Sequence, residues 1–184
     1  MKRIVNQDLI DLIVKEKAIE NPIEGFEKRL SATYVNTQLT EVDVRLSGWI
    51  KRQKPSPIEL NSFPIHVAFP DNWTNIWDKE IQVDDRNAIY IAPGEMILGK
   101  TIETFNLPED VMAEFSLRSW SAKSGLNQST SLSMKPNWEG QLVLELHNCL
   151  KDRGLCFYPG AEIGQVSFYR TEKRNILEWL LGKK

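Results

Sequence analysis

Gln141-Leu142-Val143-Leu144-Glu145-Leu146-His147 decides how this chain folds. Its strict alternation sets Leu142, Leu144 and Leu146 on one face of a strand, with Val143, Glu145 and His147 on the other. A turn, Lys135-Pro136-Asn137-Trp138-Glu139-Gly140, leads into it, and a polar loop, Arg118-Ser119-Trp120-Ser121-Ala122-Lys123-Ser124-Gly125-Leu126, stands further upstream. A carboxylate in mid-strand beside a loop that carries Arg118 and Lys123 singles out Glu145 as the residue to explain.

Outward from this strand the same period recurs in short runs: Val42 to Leu46, Ile89 to Ile91, Met96 to Leu98, Met112 to Phe115 and Gln165 to Tyr169. The separators are Pro93-Gly94, Leu107-Pro108-Glu109-Asp110, Pro136-Asn137 and Pro159-Gly160, the punctuation of a compact antiparallel barrel or sandwich. Two helices flank these strands. Asn6 is placed to cap the first, whose apolar residues Leu9, Ile10, Ile13 and Val14 recur at helical spacing to about Lys17 before Asn21-Pro22 breaks it. The second, from Arg174 to Leu181, spaces Ile176, Leu177, Leu180 and Leu181 in the same way. Residues 51–85, with Pro55, Pro57, Pro64, Pro70, Trp73 and Trp77, read as an ordered insertion whose tryptophans anchor it to the core. The expectation is an all-β domain spanning 1–184 with short N-terminal and C-terminal helices.

Composition narrows the function classes. A chain of 184 residues that is 41% hydrophobic and 26% charged can bury a core of its own. No apolar run approaches the roughly 20 residues that cross a bilayer, and polar residues interrupt the first eight positions, so a cytoplasmic protein with no membrane partner is expected. A net charge of −2 argues against wrapping nucleic acid but leaves room for a local cationic pocket holding one small anion. Cys149 and Cys156 are too few for a disulfide framework. With His147 they could supply three zinc ligands, yet the Cys-x-x-Cys clamp is missing, so half-buried thiols beside a turn are preferred and no metal site is assigned.

The blocks, taken in order, resemble the dCTP deaminase and trimeric dUTPase superfamily. Thr40 to Leu46 is similar to that family's Ala-Thr-Val-Asp-Val-Arg-Leu strand, and Ala92 to Glu95, Lys100 to Glu103 and Leu107 to Asp110 resemble its Pro-Gly-Glu, Thr-Leu-Glu and Leu-Pro stretch. Arg118-Ser119 with Ala122, Lys123, Gly125 and Leu126 matches Arg-Ser-Ser-Leu-Ala-Arg-Leu-Gly-Leu. Pro136, Gly140, Leu144-Glu145, Asn148, Tyr158-Pro159-Gly160, Ile163-Gly164-Gln165 and Ser167-Phe168 complete the series.

The resemblance implies a distorted jelly-roll-like fold that assembles as a homotrimer, or a hexamer built from trimers, with nucleotide sites between subunits. It implies that Glu145 is the catalytic glutamate activating water against C4 of cytosine, and that Arg118, Ser119, Lys123 and Gln165 bind the nucleotide. Lys135, in a turn where this chain departs from the family, is expected to contact phosphate instead. A carboxylate screened from water can have its pKa raised and so shuttle protons. No cofactor is needed for that hydrolysis, and Mg²⁺ would enter only with the nucleotide phosphates.

Departures from the pattern gather in the site. Trp120 replaces the second serine, and Lys123 replaces an arginine, keeping the charge but losing the planar fork. Met134-Lys135-Pro136 stands where an aspartate-bearing turn is usual, and neither a glycine-rich tail nor the Tyr, Lys and Gln arm follows Phe168. Deamination of dCTP to dUTP is the reading that results. The alternative is a nucleotide-binding protein that has kept the scaffold without the catalysis, and a pyrophosphatase is disfavoured by the missing aspartate.

Overall fold

A computed structural model describes residues 1–24, 39–54, 76–129 and 133–171. Its elements in chain order are β1 (Lys2–Arg3), α1 (Asn6–Val14), β2 (Ile19–Glu20), β3 (Val42–Arg52), β4 (Ile81–Gln82), β5 (Ile89–Ile91), β6 (Met96–Asn106), β7 (Val111–Leu117), α2 (Ser119–Lys123), β8 (Leu126–Gln128), β9 (Ser133–Met134), β10 (Glu139–Asn148), β11 (Leu155–Phe157) and β12 (Glu162–Arg170). Among the described residues, one curled antiparallel sheet runs β8-β10-β6-β3-β12-β7-β9, with β1, β2 and β4 paired to its members and β11-β5 forming a separate ribbon. No helix among them is long and apolar enough to cross a membrane. The expected all-β, distorted jelly-roll-like fold is what forms.

Alternation builds this sheet. Val42, Val44, Leu46 and Ile50 of β3 point inward, as do Ile97 and Phe105 of β6, Leu144 and Leu146 of β10, and Ile163, Val166 and Phe168 of β12. Several strands run longer than their apolar runs suggest, β3 and β6 most of all. β6 continues through Thr101 and Glu103, both fully buried, because each polar group finds a partner. Glu103 accepts 2.8 Å bonds from the backbone N–H and the Nε of Arg45, and the Thr101 hydroxyl donates to Glu103 O at 2.8 Å. The same hydroxyl accepts the Leu142 N–H at 3.1 Å, where the β6/β10 register shifts between Gln141 and Val143. A buried carboxylate is tolerated only when paired and hydrogen-bonded in this way.

Three expectations about local structure need correction. Asn6 does not cap α1. It stands in the helix with φ 53°, a left-handed conformation asparagine tolerates, and its Oδ1 accepts the Leu39 N–H at 2.8 Å. The helix ends at Val14 rather than near Lys17, with Lys17 itself at φ 54°. Part of the 51–85 insertion belongs to the sheet: β3 extends to Arg52, Gln53 bridges to Trp77, and β4 pairs with Trp49 and Ile50. The insertion's prolines and Trp73 lie outside the described residues, as does the expected helix from Arg174 to Leu181.

Candidate active site

Glu145 sits where the alternation places it. Leu144 and Leu146 on either side are buried in the core, while the Glu145 side chain is on the opposite, half-covered face with exposed Val143 and with His147. In register beside it is Leu98 of β6, and beyond Leu98 is Lys51 of β3. On the other edge, the Ser129 N–H donates to Glu145 O at 3.3 Å, leaving the carboxylate free of the ladder. One carboxylate oxygen, Oε2, is buried and has no hydrogen-bond partner. Burial without a donor disfavours the charged form, so desolvation raises the Glu145 pKa above the ordinary 4.5, opposed by a smaller backbone hydrogen-bond effect. A carboxyl whose pKa is raised in this way holds a proton more readily than an exposed one, which suits it to proton transfer.

The cations of the same face are occupied. Lys51 pairs with Glu80 at 3.4 Å, and the Lys100 ammonium lies 4.0 Å from the Trp49 ring centroid. Of the loop residues, Ser119 and Lys123 begin and end α2, both exposed, and Lys123 makes no ion pair among the described residues. This short helix runs into β8, which pairs with Leu146 to Asn148 of β10, so the loop and Glu145 are joined through neighbouring strands. The turn is tied down where Cys149 N–H donates to Gly125 O at 2.9 Å.

Arg118 and Gln165 are committed elsewhere. The Arg118 guanidinium closes on Asp43 of β3 and lies 3.2 Å from Glu162 of β12, so it clamps two strands. Gln165 donates to Glu41, a carboxylate that Arg3 also holds at 2.7 Å. Within a single chain, these two side chains meet carboxylates of the fold rather than an open cleft. Asp43, Glu162 and Glu41 are residues the sequence reading missed; Asp43 alternates with Val42 and Val44 on β3, a signal that it lies on the polar face. Lys135 stands apart from Glu145 along the chain. It is exposed in the turn before β10, and Glu139 to Glu145, about 20 Å of strand, lies between them.

The thiols depart from expectation too, since Cys149 and Cys156 are both exposed rather than half-buried. Cys149 Sγ lies 3.6 Å from His147 Nδ1, but no group of three His, Cys, Asp or Glu side chains is gathered for a metal ion among the described residues.

Residues 7–171 match the family model described as dCTP deaminase-like. The chain belongs to that family. Among curated relatives, a protein of Dictyoglomus thermophilum named "dCTP deaminase, dUMP-forming" is 27% identical over 170 residues, covering 90% of this chain and 78% of that one. A "dCTP deaminase" of Shewanella sp. (strain ANA-3) is 30% identical over 161 residues, covering 84% and 80%. The solved 2'-deoxycytidine 5'-triphosphate deaminase of Agrobacterium tumefaciens superposes with a TM-score of 0.61 at 14% identity, over 91% of this chain. The chain spans 48% of the length of that solved structure, and the likeness concerns the fold.

Proposed function

We propose that this member of the dCTP deaminase-like family hydrolyses the amino group of a deoxycytidine nucleotide, dCTP to dUTP. The observation that carries the reading is the Glu145 carboxyl, half-covered on the outward face of β10 with Oε2 buried and unpartnered. In the ionised form it takes a proton from water as the oxygen bonds to C4. It then delivers that proton to the amino nitrogen, the C4–N bond breaks, and ammonia leaves. Ser119 and Lys123 position the nucleotide from the exposed loop, and any Mg²⁺ arrives on the phosphates and takes no part in the proton transfers. The names of the Dictyoglomus and Shewanella relatives support this substrate class.

Assembly belongs to the same proposal. The distance between Lys135 and Glu145 along one chain is resolved if sites form between subunits of a homotrimer, each chain supplying Lys135 to a neighbour's Glu145.

A second reading, a binder without turnover, is favoured by one observation. Arg118 and Gln165 are engaged by Asp43, Glu162 and Glu41, which leaves Lys123 as the exposed cation of the loop. Incubation of the protein with each dNTP, followed by chromatography and an ammonia assay, separates the cases. Release of dUTP from dCTP supports the hydrolase. Release of dUMP adds a pyrophosphatase step, and thermal stabilisation by dCTP without any product supports the binder.

A further inference from the structure

Trp120 is the residue of α2 that neither the fold nor the proposed chemistry absorbs. Its indole is 50% exposed, although a large apolar side chain gains most from burial. It lines a cavity of 340 Å³ with Ser124 of the same turn and with Leu155, Phe157 and Tyr158 of the β11 segment. Tyr158 is itself 57% exposed. Small-molecule clefts occupy about 300–1,000 Å³ and combine apolar walls with a few polar groups, so this hollow is large enough for one planar ring.

The walls of the hollow carry no charged side chain, but the helix that supplies Trp120 also carries a cation. Residues three and four apart on a helix share a face, with Cβ atoms about 5–6 Å apart, so Trp120 adjoins Lys123 and Ser124. Lys123 has no acidic partner among the described residues. An aromatic wall next to an unneutralised ammonium complements a ligand that joins a flat heterocycle to an anion, which is the chemistry of a nucleotide. The family pattern has a serine at this position, and a hydroxyl there would offer a hydrogen bond but no stacking surface.

We infer that Trp120 is a positioning residue of the nucleotide site, stacking on the heterocyclic base while Lys123 meets the phosphates. This rests on the nucleotide reading above, but not on hydrolysis. Stacking is indifferent to the identity of the base because every base presents a π-face. The Trp120 contribution is therefore shared by purines and pyrimidines, whereas Glu145 acts only on the cytosine amino group.

The test is equilibrium binding by calorimetry on the full chain carrying Glu145→Gln, so that nothing turns over, with dCTP, dATP and inorganic triphosphate as probes. Trp120→Ala is expected to weaken dCTP and dATP alike by about tenfold, the scale of one lost base stack. It should leave inorganic triphosphate within twofold, and Trp120→Phe should keep dCTP within threefold of the parent. Light scattering and circular dichroism accompany each titration. Unchanged nucleotide affinity, an equal loss for inorganic triphosphate, or no nucleotide binding by the parent protein would each overturn the assignment. So would a change of assembly with affinity unaltered, which would make Trp120 a subunit contact. Base stacking without ammonia release from dCTP by the unmodified chain would refute the hydrolase reading and leave the Trp120 assignment intact. Ammonia release with no Trp120 effect would do the reverse.

Discussion

Replacing Glu145 with Gln should move activity and stability in opposite directions. The amide keeps the shape of the side chain but cannot accept the proton of the attacking water. General acid–base catalysis is worth about 10²–10⁴-fold, so turnover of dCTP should fall by that factor, or about 3–5 kcal/mol of barrier at about 1.36 kcal/mol per decade. Stability should rise, because the variant removes a charge whose Oε2 is buried with no donor. An unsatisfied buried polar group costs about 1–3 kcal/mol; the rest of this side chain reaches solvent and the amide also stays unpaired, so about 1 kcal/mol is the expected gain. For a chain of this size that is a Tm increase of about 2–4 °C. The pH dependence follows from the raised pKa. Below the ordinary 4.5 both folded and unfolded chains hold the proton, and the variant gains nothing. As pH rises, the unfolded chain ionises first, so the wild type loses stability until pH passes the raised folded value, and the penalty is then constant. Melting curves at pH 4 and pH 7.5, at one protein concentration, with ammonia release measured on the same samples, read both effects. Wild-type turnover in the variant, or a Tm difference that is larger at pH 4 than at pH 7.5, would refute the reasoning.

Three other substitutions probe the surroundings. Arg118→Ala removes the guanidinium that Asp43 and Glu162 share, and urea denaturation should show a loss of about 1–3 kcal/mol, between the values for exposed and buried pairs. Phe105→Ala empties a fully buried site against the tilted ring of Trp138, 6.3 Å away between centroids, and should cost about 3–5 kcal/mol in the same assay. Lys123→Ala should weaken dCTP binding by about tenfold at low salt and flatten its salt dependence, since a charge-assisted contact contributes about 1.5–3 kcal/mol and exposed charges are screened; titrations at two salt concentrations check this.

The fold was legible wherever alternation was uninterrupted, as at Leu142 to His147, Ile89 to Ile91 and Met112 to Phe115. It was illegible where a polar residue faces inward. β6 reads as Met96 to Leu98 because Gly99, Thr101 and Glu103 break the apolar pattern, yet the strand runs on to Asn106. What carries it is Arg45, 58 residues away in sequence, which neutralises Glu103 from β3. No local window contains both partners of that pair. Asn6 shows the same limitation on a smaller scale, since its side chain bonds to Leu39, 33 residues on, and not to the helix it begins.

The candidate site divides along a similar line. Glu145 could be placed from its own strand because orientation is fixed by a period of two, and the unpartnered Oε2 follows from what surrounds that strand. Arg118 and Gln165 could not, because their side chains are claimed by Asp43, Glu162 and Glu41 on strands remote in sequence. A motif specifies which residue types stand in a loop but not whether the fold leaves them unpaired. The ammonium of Lys123 and the indole of Trp120 remain on the exposed surface of α2, and both depart from the family pattern. A site whose serine and arginine have become tryptophan and lysine has exchanged directional phosphate contacts for a point charge and an apolar plane. Its affinity should therefore rest more on the presence of a base, whichever base that is, and less on the geometry of the phosphates.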